Sequence, residues 1–169
     1  MRPTPPLRQQ PDRAALRAAL ADGTIDALVS DHNPVAADEK TLPFAEATPG
    51  ATGLELLLSL ALRWGQDEGL SLARTLDTIT GRPVKVLGGA LGSLAASAGR
   101  LVEGGVGDVV VFDAEASGAV TPERLVSQGK HTPFSFDITG FELPGRVRYT
   151  LVAGTVAYES LVTDVERTA

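Results

Sequence analysis

The run Thr24-Ile25-Asp26-Ala27-Leu28-Val29-Ser30-Asp31-His32 constrains this chain more than any other segment. Its apolar β-formers stop abruptly at polar residues, the pattern of a buried strand that delivers Asp31 and His32 to its C-terminal tip. The stretch before it is helical from Pro11. Asp12 favours the helix start, Leu16 and Leu20 stand at i, i+4, and Gly23 is a natural stop. Helix, short turn and buried strand make one αβ step of an α/β fold. One strand cannot form a sheet alone, and parallel sheets are stable only when paired and covered. The chain has 169 residues, too few for a complete (β/α)8 barrel of roughly 250. This portion therefore reads as the tail of something larger.

Residues 1–10 are proline-rich and extended. Residues 33–53, with Pro34, Pro43, Pro49, Gly50 and Gly53, read as a long irregular loop, ordered by packing of Leu42 and Phe44 and covering a site. Leu54 to Gln66 predicts a buried helix. Ser71 to Ile79 predicts a second with Leu72, Leu76 and Ile79 on one side, and Pro83 to Leu87 a third. After Gly88 the character changes. Arg100 to Asp113 reads as strand, turn, strand, and Val147–Val152 with Thr155–Tyr158 as a hairpin turning at Ala153-Gly154. The chain thus divides near residue 90, into 1–90 and 91–169.

Charge and composition remove several function classes. A net charge of −6 argues against nucleic acid or an anionic membrane surface as partner. Zero cysteines exclude a disulfide scaffold, a thiolate metal site and a cysteine nucleophile. Leu54 to Leu62, the longest apolar run, is far short of the ~20 residues that span a bilayer. The amino terminus has no apolar signal core. A soluble, cytoplasmic protein is the expectation. With two histidines, His32 and His131, the chain cannot build a histidine-rich metal site by itself.

Asp31-His32-Asn33-Pro34 is the main chemical candidate. A carboxylate at the C-terminal end of an α/β strand can ligate a metal and accept a proton from metal-bound water. The same four residues also make an Asx-turn, with Asp31 capping and His32 bonding locally. Arg8, after Pro5-Pro6-Leu7, suits a bidentate grip on a carboxylate, and equally a surface ion pair. Asp38, Glu39 and Lys40 read as a solvated loop face. Pro49-Gly50-Ala51-Thr52-Gly53 permits close approach of backbone to a ligand, or simply turns into the next helix. His131 reads as a structural or solvated loop residue, and no Gly-x-Ser-x-Gly elbow occurs.

In order, these pieces resemble the C-terminal part of dihydroorotase, of the amidohydrolase superfamily. The series runs Pro5-Pro6-Leu7-Arg8 with Asp12-Arg13, Asp22-Gly23-Thr24-Ile25-Asp26, Ser30-Asp31-His32-Asn33-Pro34, Lys40 with Pro43-Phe44-Ala45-Glu46, and Pro49 to Glu55. Gly99 to Asp113 and Gly145 to Tyr158 are similar to the small β-domain that follows. The resemblance implies an α/β fold: residues 1–90 as the C-terminal part of a metal-dependent (β/α)8 amidohydrolase barrel, and 91–169 as a small β-rich composite domain. It implies Asp31 as zinc ligand and general base on the last barrel strand, with Arg8, His32, Pro49 and Gly50 at the substrate. The family reaction is the reversible cyclisation of N-carbamoyl-L-aspartate to dihydroorotate in de novo pyrimidine biosynthesis.

Two positions depart from the family pattern. Val35 stands where the family has a histidine that helps hold the substrate carboxylate, and Thr4 where it often has asparagine. Losing one charge-assisted contact costs roughly 1.5–3 kcal/mol. The other metal ligands of the family lie upstream of the matching segments, and a catalytic zinc takes about three protein ligands. The expectation for these 169 residues alone is no turnover and no stably bound zinc, with a missing N-terminal barrel portion as the partner. The other reading is a non-catalytic dihydroorotase-like scaffold subunit for aspartate transcarbamoylase. Ile25 to Val29, without a partner strand, implies that the isolated chain self-associates or folds poorly.

Overall fold

The computed structural model describes residues 2–134 and 142–160. Helix α1 (Gln10–Asp22) carries Pro11 in its first turn and closes at Gly23 in the left-handed conformation. Its last carbonyls have no partners within the helix, and two arginines from later helices take them. Arg74 Nη2 donates to Ala21 O at 3.0 Å, and Arg82 Nη1 to Leu20 O at 3.3 Å. Leu20 is buried as its position implies, whereas Leu16 is half exposed.

The segment that reads as a buried strand is not one. Residues 24–36 form neither helix nor strand, and Val29 is 72% exposed. A strand exists only by pairing. Here Leu28 N–H donates to Thr78 O at 3.0 Å, a helix-end carbonyl rather than a strand neighbour. With no ladder beside it, the β-forming run stays an irregular span.

Helix α2 (Ala37–Thr41) interrupts the loop. A 3-10 turn (Leu54–Leu56) leads into α3 (Leu57–Asp67), which buries Ala61, Leu62 and Trp64, although Leu54 stays exposed. Arg17 ties α1 to the end of α3 through Asp67 at 3.2 Å and Glu68 at 2.6 Å. Helix α4 (Leu72–Asp77) starts at Ser71, whose hydroxyl accepts Arg74 N–H. Its inward residues are Thr75 and Thr78, and Leu72 points out at 48% exposure, contrary to the expected Leu72–Leu76–Ile79 face. Helix α5 (Gly81–Leu87) follows, then 3-10 turns over Gly88–Ala96 broken at Gly92.

The sheet has the order β1–β2–β3, all antiparallel: β1 (Val109–Ala119), β2 (Glu142–Val152) and β3 (Thr155–Glu159). The expected hairpin is present. It turns on Ala153 (φ 49°) and Gly154 (φ 79°), the consecutive positive φ values that a two-residue turn between twisted strands demands. The first strand expected within Arg100–Asp113 is absent, since residues 101–108 are turn and irregular chain. Leu56, Leu125 and Leu143 form the central apolar cluster, joined by Leu60, Val120 and Phe134. It lies between the start of α3 and the sheet, where Ser59 Oγ donates to Gly145 O at 3.3 Å. No helix of the described residues is long and apolar enough to cross a membrane.

Candidate functional site

Three segments meet around Asp31 and His32. Asp31 is exposed and has φ 44°, a conformation that costs an ordinary side chain of order 1 kcal/mol and is tolerated best by Asn and Asp. The twist turns the chain so that His32 faces the loop before α3. His32 Nδ1 accepts the backbone N–H groups of Gly53 and Leu54, each at 3.2 Å. These are among the N–H groups that a helix entrance leaves without partners. A neutral imidazole accepting at Nδ1 carries its proton on Nε2, so His32 presents a donor on its other side.

The loop reaches His32 because it lies directly on the Asp31–Val35 backbone. Asn33 N–H donates to Ala51 O at 3.0 Å. Gly50 (φ 138°) leaves no space for a side chain. A methyl there would stand 2.5 Å from Asn33 O and 2.8 Å from Val35 Cγ2, and one at Gly53 would stand 2.5 Å from Ser30 O. Thr52, fully buried, fastens the loop on its other side: its N–H donates to His131 O at 2.8 Å and its hydroxyl to Gly129 O. His131 thus takes part through its carbonyl.

Two cations hold the outer part of the loop. Lys40 Nζ donates to Thr48 O and Gly50 O, both at 2.7 Å, and to Arg2 O at 3.4 Å. Arg2 Nη1 donates to Ala45 O and Ala47 O, both at 2.8 Å, and to Phe44 O at 3.3 Å. Burial, and secondarily the Arg2 charge, lower the Lys40 pKa, with Glu39 opposing. The solvated face expected at Lys40 is therefore corrected. So is the expectation that Leu42 and Phe44 pack the loop: they are 46% and 70% exposed. Carbonyl oxygens that accept from Lys40 and Arg2 order this segment, with Val35 and Ala47 as its buried apolar residues. The one sequence signal was Lys40 beside a loop rich in proline and glycine, whose carbonyls lack regular partners.

Of the residues singled out from sequence, His32 bonds to the loop at Gly53 and Leu54, and Gly50 lies against Asn33 and Val35, the residues that follow Asp31 and His32 in the chain. Arg8 is exposed, and no hydrogen bond among the described residues joins it to them. Among the described residues no group of three or more His, Asp or Glu side chains gathers as a metal site. Zinc requires about three protein ligands, so the described donor set does not fit that ion. Val35 is buried at 6% exposure, with its methyl against Gly50.

The chain is 42% identical over 155 residues to a dihydroorotase-like protein of Pseudomonas aeruginosa, and 39% identical over 155 residues to a dihydroorotase of Geobacter metallireducens. Each match covers 92% of this chain and 34% of the relative. The chain resembles the C-terminal part of dihydroorotases. It spans about a third of the length of the dihydroorotases it matches. Its backbone superposes on a D-hydantoinase (dihydropyrimidinase) from Thermus sp. with TM-score 0.79 and 28% identity, covering 94% of this chain and 33% of that one. L-Hydantoinase (dihydropyrimidinase) from Arthrobacter aurescens gives TM-score 0.79 and 28% identity, over 96% and 35%. No protein-family model matches the chain. The relatives are thus a dihydroorotase and a dihydroorotase-like protein by sequence and hydantoinases by backbone, which supports a family of cyclic-amide hydrolases.

Proposed function

We propose that these residues are the last third of a dihydroorotase-type enzyme. Residues 1–90 complete a (β/α)8 barrel and 91–169 form its small β-domain. The reaction is the reversible cyclisation of N-carbamoyl-L-aspartate to dihydroorotate, in cytoplasmic pyrimidine synthesis. The observation that carries this reading is the exposed Asp31 carboxylate beside a histidine that two loop amides fix. In the complete enzyme Asp31 would be one of the residues that hold zinc, which would activate the attacking water. In the hydrolytic direction the Asp31 carboxylate would take the proton that this water gives up. His32 donates from Nε2, and the Pro49–Gly50 backbone lines the substrate together with Arg8. The remaining ligands come from the part of the relatives that this chain does not match. Alone, the chain is inactive, because one carboxylate does not hold the ion.

Val35 favours a second reading, a non-catalytic dihydroorotase-like subunit that scaffolds aspartate transcarbamoylase. Its side chain is apolar and turned into the loop, so it offers nothing to a substrate carboxylate.

The test begins with the intact mass of the native polypeptide, captured through residues 99–113. The enzyme reading expects a species more than twice 17.6 kDa that turns over dihydroorotate and loses turnover in Asp31→Asn. Turnover that survives Asp31→Asn overturns the role of Asp31. A large species without turnover that copurifies with aspartate transcarbamoylase replaces the first reading with the second.

A further inference from the structure

Lys40 is a half-buried cation whose three hydrogen bonds all go to neutral carbonyl oxygens: Arg2 O, Thr48 O and Gly50 O. An ammonium has three donors and no acceptor, so this cage saturates it. Burying a charge is costly unless it is paired or fully hydrogen-bonded. A lysine that only covers surface would keep its head in water. Here the head is turned inward.

What the cage holds is the geometry of the loop. Gly50 sits between Lys40, through its carbonyl, and Arg2 O, to which its N–H donates at 2.9 Å. Its backbone then runs against Asn33 and Val35 with no room for a side chain. From there Ala51 O takes Asn33 N–H, and Gly53 and Leu54 direct their N–H groups at His32. Lys40 touches neither Asp31 nor His32 in any of these bonds. It acts on them through four residues of backbone.

We propose that Lys40 is a positioning residue that sets the Thr48–Leu54 loop, and through it the orientation and tautomer of His32 beside Asp31. The arrangement rests on the proposed reading only for calling Asp31 and His32 a substrate site. The loop mechanics stand without it.

The test uses the native polypeptide that carries these residues and reads no turnover, so an error in the assigned reaction and an error in the role of Lys40 give different results. Amide hydrogen exchange and imidazole nitrogen-15 shifts are compared in wild type, Lys40→Met and Lys40→Arg. In Lys40→Met, protection at Asn33, Gly50, Gly53 and Leu54 falls at least tenfold while α3 and β2 keep theirs. The neutral His32 ring changes from one tautomer, protonated at Nε2, to a mixture. Lys40→Arg, which still offers donors to Thr48 O and Gly50 O, retains most of the protection. Unchanged loop amides in Lys40→Met overturn the proposal. So does an equal loss over the whole chain, which marks a general stability role. If Lys40→Met does not fold, Lys40→Gln, with a shorter neutral donor, takes its place, and failure of both to fold overturns it as well.

Discussion

His32 Nδ1 lies 3.2 Å from the backbone nitrogens of both Gly53 and Leu54, so a single lone pair serves two N–H groups at the entrance to α3. Removing that acceptor leaves both N–H groups to water. His32→Ala is expected to cost about 1–3 kcal/mol. His32→Asn, whose side-chain oxygen can stand in for Nδ1, is expected to cost less. Urea unfolding midpoints of the two variants check this, and equal costs would show that the ring's packing matters rather than its acceptor.

Reinstating the family's histidine at Val35 is expected to damage the fold rather than restore a contact. The valine is buried, with Gly50 against its methyl, and a buried imidazole without partners costs about 1–3 kcal/mol. The check is the melting temperature of Val35→His together with its affinity for dihydroorotate. A stable variant with gained affinity would sink this view of the position.

Glu55 reports on the acid limb of stability. Burial raises the pKa of its carboxyl, but the N–H groups of Val126 (2.7 Å) and Ser127 (3.0 Å), with Lys130 behind them, outweigh that and hold it below the ordinary 4.5. A group with a depressed folded pKa stabilises fully above its unfolded pKa and loses that contribution as pH falls through the folded one. The melting-temperature gap between wild type and Glu55→Gln is therefore constant from neutral pH down to about pH 5. Below about pH 4.5 it narrows. A gap independent of pH would mean that folding leaves the Glu55 carboxyl where it stands in the unfolded chain.

The isolated chain is expected to bind less than stoichiometric zinc, since about three ligands are needed and no three candidate side chains gather among the described residues. Metal analysis after dialysis against micromolar zinc measures this. Stoichiometric retention, released by chelator with loss of turnover, would contradict the expectation.

Self-association is the last expectation. Val110, Val111, Val152 and Val156 are 47–54% exposed on the sheet, and Val29 is 72% exposed. Uncovered edges and apolar patches of this kind pair with other chains. Sedimentation velocity across a concentration series is the measurement. A single monomeric species at high concentration would count against it.

Much of the fold was legible, and the failures share one cause. Helix α1 and the β2–β3 hairpin follow from local chemistry, because a stop at Gly23 and a turn at Ala153-Gly154 need no distant partner. The Thr24–His32 run misleads because β-formers express their preference only against a neighbouring strand, and among the described residues none pairs with it. At the site, Asp31, His32 and the Pro49–Gly53 glycines were visible as residue types with a distinctive order. Lys40 stood in the resembling series, yet its bonding was not legible. A side chain that bonds to carbonyls eight and ten residues away, and to Arg2, leaves no periodicity. Arg8 shows the opposite failure: a suggestive motif whose side chain the described residues do not bring to Asp31.

The clamp that Arg2 makes on the 44–47 carbonyls has a practical side. Whatever is joined ahead of Arg2 is anchored at the rim of the loop that carries Gly50. A small environment-sensitive dye attached there becomes a built-in reporter of loop opening. A bulky group at the same place pulls on the very residues an assay would seek to measure.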